Sequence, residues 1–214
     1  MHRQPIFITG IGTDVGKTIV AAILTEALQA NYWKPVQAGF SHGTDALRVK
    51  DLISNNQSVI HSEVYKFSLP ASPHIAARNE KMKVDLELIV EKFRALITKN
   101  SPLIIEGAGG LMVPLNENEF VVDLIQKLNA SVILVSRNYL GSINHSLLTA
   151  EACKQKRLNV IGWIFNDQYL HYEDEIVQWS GFRKIYSIPF AENISKEFVK
   201  SESNKIKESL KKFL

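Results

Sequence analysis

Cysteine is almost absent from this chain of 214 residues, because Cys153 is the only one. No internal disulfide can form, and the place of Cys153 on a helical pattern with Ile143, Leu147 and Ala150 indicates a buried structural thiol. Long apolar runs are also missing, since none approaches the roughly 18 residues that a membrane-spanning helix needs. The first apolar strand begins within a few residues of the amino terminus, which leaves no space for a signal peptide. These absences predict a cytoplasmic protein that does not engage a membrane.

Excess charge of either sign is small, with a formal net charge of +3. That value gives no argument for a nucleic-acid partner, and we expect none. The end of the chain is rich in lysine, but Glu197, Glu202 and Glu208 are interleaved with these lysines. Such mixing is more typical of a solvated helix face than of a site for a polyanion.

Short apolar runs alternate with amphipathic stretches, which is the pattern of βαβ units. Strands are predicted at 5–9, 33–37, 103–106, 132–136, 160–165 and 184–188, and helices at 16–30, 85–99, 121–128, 143–156, 172–180 and 194–212. Residues 103–105 and 132–135 are apolar on both alternating faces, as strands covered on two sides are. Residues 40–83 are less regular and suit a functional excursion. We predict an α/β fold, a mostly parallel sheet with helices on both faces, in one domain spanning 1–214.

The segment from Gly10 to Thr18 is the most informative, because it lies between an apolar strand and a buried helix. Its glycines allow backbone N–H groups to surround phosphate oxygens, and the helix N-terminus adds partial positive charge. Lys17 is expected to reach the β- and γ-phosphates, and the Thr18 hydroxyl to bind Mg²⁺. The usual motif has its first glycine five residues before Gly16, where this chain has Ile11, so this loop is one residue longer. We interpret it as a P-loop for a nucleoside triphosphate, against the alternative of a chance Gly-Lys-Thr in a turn.

Polar or glycine-rich residues also follow the other predicted strands, where ligands bind in an α/β sheet. Glu106 directly follows a buried strand, where an unpaired charge is costly, so it suits a Mg²⁺ ligand better than a helix cap or an edge residue. Asp45 is a second candidate carboxylate, although aspartate is common in turns. Lys34 either extends to solvent or supplies a second cation for a transferring phosphoryl group.

Taken together, these segments resemble the dethiobiotin synthetases, the ATP-dependent ligases that close the ureido ring in biotin synthesis. The matching segments are TGIGTDVGKT (9–18), KPVQAG (34–39), TDA (44–46), SPH (72–74), EGAGG (106–110), LGSINH (140–145), GWIFND (162–167) and IPF (188–190). They follow the order of the family along nearly the whole chain, and the longer glycine spacing is itself a family feature.

The resemblance implies roles for particular residues, with P-loop NTPase-like nucleotide binding. The implied catalytic residues are Lys34, Lys17 and Thr13, and the implied Mg²⁺ ligands are Thr18, Asp45 and Glu106. The implied ATP contacts are Asp14, Val15, Gly16, Lys17, Thr18, Ile19, Asp45, Glu106, Gly107, Ala108, Gly109, Asn166, Asp167, Ile188, Pro189 and Phe190. Of these, Asn166 is expected to read the adenine edge, with 188–190 flanking the base. The implied substrate contacts are Lys34, Ala38, Ser72, Pro73, Gly141, Ser142, Ile143 and Asn144.

The reaction implied by the resemblance is the ATP- and Mg²⁺-dependent carboxylation and ring closure of 7,8-diaminononanoate with CO₂ or bicarbonate. The family acts as a homodimer, and the acid tail of the substrate crosses to the partner subunit, where the N–H groups of 141–144 suit a carboxylate. Tyr139 could line that tail, and His145 suits packing or hydrogen bonding better than catalysis. Ala38 departs from the family, which often has a hydroxyl residue there, so Gln37 or a water could substitute.

Three rival classes of protein share some of these features but fit the sequence less well. Partition and cell-division ATPases carry a signature lysine five residues before the loop lysine, and here that position is Gly12. Amide-forming synthetases of the corrinoid pathway carry a glutaminase domain, for which this chain leaves no room. A nucleotide-binding scaffold without turnover does not account for Lys34 and Glu106.

Overall fold

A computed structural model describes residues 4–97, 101–167 and 169–210. The strands are β1 (Ile6–Gly10), β2 (Asn31–Trp33), β3 (Val36–Ala38), β4 (Ile60–His61), β5 (Tyr65–Phe67), β6 (Leu103–Gly110), β7 (Ser131–Arg137), β8 (Val160–Asn166) and β9 (Lys184–Ile188). Within the described part, seven of them form one sheet in the order β4-β2-β6-β1-β7-β8-β9, and every pairing in it is parallel. The predicted α/β fold class is confirmed.

Helices cover both faces of this sheet. They are α1 (Lys17–Leu28), α2 (Asp45–Leu52), α3 (Pro73–Asn79), α4 (Leu86–Leu96), α5 (Val121–Lys127), α6 (Ser142–Gln155), α7 (Glu173–Ser180) and α8 (Lys196–Leu210). Alternation along β1 explains the two layers, because Ile6 and Ile8 belong to a core with α1, α2 and α8, whereas Phe7 belongs to a core with α4, α5 and α6. The sheet is therefore buried on both sides, so a ligand can reach it only at its edges and at the ends of its strands.

The predicted strand at 33–37 is wrong in its bounds. In the structure β2 ends at Trp33, the chain leaves the large sheet at Lys34 and Pro35, and β3 pairs instead with β5 in a small separate sheet. Proline has no N–H to donate to a strand ladder, which explains the break. Because β2 stops there, Lys34 lies just beyond the carboxyl end of this strand, where its side chain reaches Asp45 and Glu106.

The segment 40–83 is more regular than predicted, since it contains α2, α3 and the short strands β4 and β5. The start of α2 is capped by Thr44, whose hydroxyl oxygen accepts a hydrogen bond from the Leu47 N–H at 3.3 Å. Asp45 is therefore the first residue of a helix rather than a turn residue. A helix end holds a side chain in a more fixed direction than a loop does.

The remaining predicted helices are found with bounds that differ by a few residues. The predicted ends at 98–99 and 211–212 lie outside the described residues. Cys153 is fully buried on α6, as expected, and burial raises the pKa of its thiol to about 12. No helix in the described ranges is both long enough and apolar enough to cross a membrane.

Candidate active site

A cavity of about 840 Å³ lies beyond the carboxyl ends of β1, β2 and β6. Most of the predicted phosphate, metal and substrate residues line it together. They are Thr13, Asp14, Gly16, Lys17, Thr18, Ile19, Lys34, Ala38, Asp45, Ser72, Pro73, Glu106, Ala108 and Gly109. Gln37, Arg48, Pro70, Ala71 and Val113 line it as well. Arg48 could have been found from its place three residues after Asp45 on one helix face.

The nucleotide loop connects β1 to α1 and is held by a residue from a distant strand. Asn166, the last residue of β8, donates its amide N–H to the Val15 carbonyl oxygen at 3.2 Å. Gly16 has a φ of 91°, and a Cβ there would lie only 1.9 Å from Asn166 Nδ2. Only glycine fits at this position for both reasons. The first contact of Asn166 is therefore with the loop, and its expected contact with adenine stays a prediction.

Lys17 folds back over the loop, where its ammonium donates to the Gly12 carbonyl oxygen at 2.7 Å. Burial lowers the pKa of Lys17 to about 8, and the charge of Lys34 acts in the same direction, against the opposing effect of Glu106. The buried ammonium has no carboxylate within ion-pair distance among the described residues. It is thus a desolvated cation directed at a loop built to surround phosphate.

Lys34, by contrast, joins two carboxylates. Its ammonium lies 2.5 Å from Asp45 Oδ2 and 3.0 Å from Glu106 Oε1. Burial acts to lower the pKa of Lys34, but the charges of Glu106 and Asp45 outweigh it and raise that pKa. The same pairing, against burial, lowers the pKa of Asp45. Parallel pairing of β2 with β6 sets Trp33 beside Ile105, so the residues that follow, Lys34 and Glu106, are adjacent.

The Thr18 hydroxyl completes this cluster, because its oxygen lies 3.2 Å from Asp45 Oδ1 and 2.9 Å from Glu106 Oε1. A hydroxyl and two carboxylates converging beside a phosphate loop fit Mg²⁺, which prefers oxygen ligands and is usually held by one or two carboxylates plus phosphates and water. The two carboxylates already attract a cation, the Lys34 ammonium. No group of three or more acidic, histidine or cysteine side chains suited to a metal occurs in the described ranges. A metal at this cluster would therefore take its remaining ligands from the phosphates of the nucleotide and from water.

Two residues beside this cluster, Gln37 and Tyr32, make hydrogen bonds that were not anticipated from the sequence. Gln37 accepts from the Asp45 backbone N–H at 3.2 Å and donates to the Gly39 carbonyl oxygen at 2.8 Å, so both ends of its amide are engaged. It therefore secures the start of α2 and is a poor replacement for the hydroxyl missing at Ala38. Tyr32 donates to Glu106 Oε2 at 2.8 Å from within the core. Burial and the nearby Glu106 charge raise the Tyr32 pKa well above its usual range.

Several predicted ATP contacts have side chains that point into the core. Val15 and Ile188 are both about 1% exposed, so their contact with a nucleotide is restricted to backbone atoms. A Cβ at Gly107 would lie 2.7 Å from the Phe7 ring, which makes this glycine a packing requirement of β6. Asp167 and the exposed Phe190 line a different cavity of about 510 Å³, and Pro189 is the residue before Phe190 in the chain. The expected contact of residues 188–190 with a base therefore stays a prediction.

The predicted tail-binding residues 141–144 do not line the 840 Å³ cavity. Ser142 is fully buried, and its hydroxyl bonds to the Tyr172 hydroxyl at 2.7 Å and accepts from the Tyr139 N–H at 3.3 Å. The Ser142 side chain is therefore committed to structure. Tyr139 itself bonds through its hydroxyl to His145 at 2.8 Å, which agrees with the hydrogen-bonding role expected for that histidine.

The parallel sheet, the loop from β1 to α1 and the oxygen cluster at its mouth define a P-loop nucleotide-binding protein. Solved structures agree on the fold: MinD, the cell-division ATPase of Pyrococcus furiosus, covers 99% of this chain and 100% of its own at a TM-score of 0.60 and 15% identity. A putative plasmid partition protein of Borrelia burgdorferi, solved with AMPPNP, covers 100% of both chains at a TM-score of 0.60 and 14% identity. At such identities the likeness concerns the fold alone.

Sequence relatives are more specific. A family described as an AAA domain matches residues 4–197. The ATP-dependent dethiobiotin synthetase of Cytophaga hutchinsonii is 45% identical over 94% of this chain and 95% of its own length. That of Christiangramia forsetii is 51% identical over 75% and 74%, and that of Chlamydia felis is 37% identical over 95% and 94%. This chain belongs to the ATP-dependent dethiobiotin synthetase family, and the resemblance predicted from its motifs is confirmed.

Proposed function

We propose that this protein uses ATP and Mg²⁺ to carboxylate 7,8-diaminononanoate with CO₂ and to close the ring, giving dethiobiotin, ADP and phosphate. The observation that carries the proposal is the meeting of Lys17, Lys34, Asp45 and Glu106 in one cavity with the phosphate loop. A nucleotide-binding scaffold has no need of Lys34 buried between two carboxylates. The names of relatives that align over most of this chain support the same reaction.

The chemistry begins with one amine of the substrate, which takes up CO₂ as a carbamate and loses a proton. A carbamate oxygen then attacks the γ-phosphorus of ATP, the bond to the bridging oxygen breaks, and ADP leaves. The second amine attacks the carbonyl carbon of the resulting mixed anhydride. Phosphate departs with the bonding electrons, the amine loses a proton, and the five-membered urea is closed.

The main difficulty of this reaction is that two anions, a carbamate and a phosphate, must approach each other. Lys17 and Lys34 both line the cavity and supply positive charge where negative charge accumulates. The Thr13 hydroxyl, on the nucleotide loop in the same cavity, is proposed to donate to the transferred group. Thr18, Asp45 and Glu106 would hold Mg²⁺, which would supply further positive charge to the phosphates. The remaining contribution of the protein is alignment of the carbamate and the second amine with the γ-phosphate.

This function predicts strict coupling between ATP consumption and the diamine. Purified protein with ATP, Mg²⁺, bicarbonate and 7,8-diaminononanoate is expected to release ADP and to form the cyclic urea, measured by mass spectrometry. Omission of the diamine should stop ADP release, because the nucleophile for the γ-phosphate is then missing. ATP hydrolysis that proceeds at the same rate without the diamine would refute the ligase assignment.

We further propose a homodimer in which residues 141–144 of one subunit receive the carboxylate tail of a substrate held by Lys34 of the other. Two observations support this arrangement. These residues lie outside the cavity that contains Lys34, Ala38, Ser72 and Pro73. The surface beside them also exposes apolar side chains, with Leu140 94% and Leu148 62% exposed, as an interface surface often does. One chain by itself then holds only part of the substrate site.

A single isosteric change tests the tail site. Asn144 is exposed in the first turn of α6, where the change Asn144→Asp adds negative charge without adding bulk. Acidic residues in a first turn favour the helix, so the fold should not suffer. We expect the KM for the diamine to rise about tenfold through like-charge repulsion, with the KM for ATP unchanged. An unchanged KM for the diamine would remove residues 141–144 from the substrate site.

Mixed dimers then test whether the site is shared. Chains carrying Lys34→Ala and chains carrying Asn144→Asp are each defective, but random mixing of both should restore about a quarter of the wild-type sites in a twofold dimer. A site built within one chain would give no recovery. Chains that remain monomeric by light scattering while fully active would equally exclude the shared site.

We propose a cytoplasmic enzyme formed by one domain over 1–214. The nucleotide loop and all predicted metal ligands line one cavity at the edge of one seven-stranded sheet, which supports a single catalytic unit.

A further inference from the structure

Glu106 is held from two opposite sides by different kinds of residue. Its Oε1 atom lies 3.0 Å from the Lys34 ammonium and 2.9 Å from the Thr18 hydroxyl, both of which line the cavity. Its Oε2 atom accepts a hydrogen bond of 2.8 Å from the Tyr32 hydroxyl. Glu106 is only 1% exposed, so bulk water does not replace any of these partners. The two oxygens of one carboxylate therefore face two different environments.

Strand geometry explains this division. Tyr32 and Lys34 are two residues apart at the end of β2, so their side chains share a face, while Trp33 points into the opposite core. Parallel pairing sets Tyr32 beside Ile104 and Trp33 beside Ile105 on β6, two residues and one residue before Glu106. The carboxylate consequently lies between the phenol behind it and the ammonium in front of it.

Tyr32 is suited to orient the carboxylate because it cannot itself take part in the reaction. Its side chain is fully buried among the residues of the α1 side of the sheet and does not line the cavity. A phenol has few rotatable bonds, and packing of its ring fixes the position of its hydroxyl. Lys34 and Thr18, in contrast, face the space where phosphates bind. Tyr32 is thus the one partner of Glu106 among the described residues that stays behind the site.

We propose that Tyr32 is a positioning residue for the metal: by holding Oε2 of Glu106, it directs Oε1 towards the magnesium position and sets the metal affinity of the site. This inference rests on the proposed role of Glu106 as a magnesium ligand. Hydrogen-bond partners behind a metal ligand commonly change metal affinity by about 10- to 100-fold when removed. A purely structural hydrogen bond would instead change stability alone.

The chain contains a matched control. Tyr186 donates to Glu202 Oε2 at 2.7 Å, and Glu202 is 2% exposed, so this pair repeats the phenol–carboxylate bond away from the cavity, with a half-buried phenol. Tyr32→Phe and Tyr186→Phe each remove one hydroxyl and keep the ring. Both variants are expected to unfold at a lower urea concentration than the wild type, because each leaves a buried carboxylate oxygen without its donor, and Tyr186→Phe should lose less because its phenol is half-buried.

The experiment measures binding of Mn²⁺, a probe for oxygen-ligated magnesium sites, to the full chain with ADP by electron paramagnetic resonance. Tyr32→Phe should weaken Mn²⁺ binding about 10- to 100-fold, and Tyr186→Phe should leave it unchanged. Unchanged Mn²⁺ affinity in Tyr32→Phe, or equal weakening in both variants, would overturn the inference. A third variant, Glu106→Gln, separates the role of Glu106 as a metal ligand from the role of Tyr32 in positioning it. If it loses Mn²⁺ affinity while Tyr32→Phe does not, only the role of Tyr32 fails, whereas no loss in Glu106→Gln removes the metal role of Glu106 itself.

Discussion

Replacing Lys34 by alanine is expected to lower kcat for dethiobiotin formation by about 1000-fold, the upper range for loss of a group that stabilises transition-state charge. The Kd for ATP should change little, because Lys34 lies at the end of β2 and contacts carboxylates rather than the loop. The loss should fall on the transfer step, where carbamate and γ-phosphate meet. Steady-state product formation and equilibrium binding of a fluorescent ATP analogue measure the two quantities separately.

The same change has a second expected effect, on stability. Removing the ammonium leaves Asp45 and the buried Glu106 facing each other without a cation, and loss of one member of a buried ion pair costs about 3–5 kcal/mol. Urea unfolding should show this loss without Mg²⁺ and a partial recovery with Mg²⁺ and ADP. Lys50 is an exposed lysine on α2, so Lys50→Ala is the control and should alter neither kcat nor the stability to urea. Equal losses of turnover and ATP binding in Lys34→Ala would contradict the assigned role.

Replacing Lys17 by alanine is expected to give the opposite pattern. Lys17 lies on the loop itself, 2.7 Å from the Gly12 carbonyl oxygen, and is proposed to bind the β- and γ-phosphates. We expect the Kd for ATP to rise about 100-fold, or about 2.7 kcal/mol, since charge-assisted bonds to phosphate are lost. Turnover falls as well, because the same cation is needed when charge develops.

Stability should distinguish the two lysines further. Burial dominates at Lys17 and lowers its pKa, whereas the carboxylates dominate at Lys34 and raise its pKa. Removal of a desolvated, poorly paired amine costs little, so Lys17→Ala should unfold in urea close to the wild type. A strongly destabilised Lys17→Ala with normal ATP affinity would show that the lysine serves the fold instead of the nucleotide.

The sequence was sufficient to predict the fold class and most of the residues that line the cavity. Lys34 and Glu106 were found because parallel strands end at the same edge of a sheet, so polar residues after separate strands come together. Asp45 required the family resemblance, since its helical context was not recognised. Glycine spacing and the position of Gly12 then separated this family from partition ATPases, whose fold it shares.

Other features could not be derived from strand ends. The hydrogen bonds from Tyr32 and Gln37 depend on the pairing register of β2 and β6 and on the path after Pro35, neither of which a hydrophobic pattern specifies. Period-two alternation alone would have made Tyr32 an ordinary core residue. Side-chain direction also escaped prediction at Ile188 and Val15, which were expected at the nucleotide and whose side chains belong to the core.

The central position of β1 has a consequence for synthesis of the chain on the ribosome. Its two neighbours in the sheet are β6 and β7, which end at Gly110 and Arg137, and the brace on the loop comes from Asn166. A nascent chain that stops before β6 therefore has both edges of β1 unpaired, and contacts of such long sequence separation form slowly. The nucleotide loop is therefore translated well before the strands and the Asn166 contact that support it.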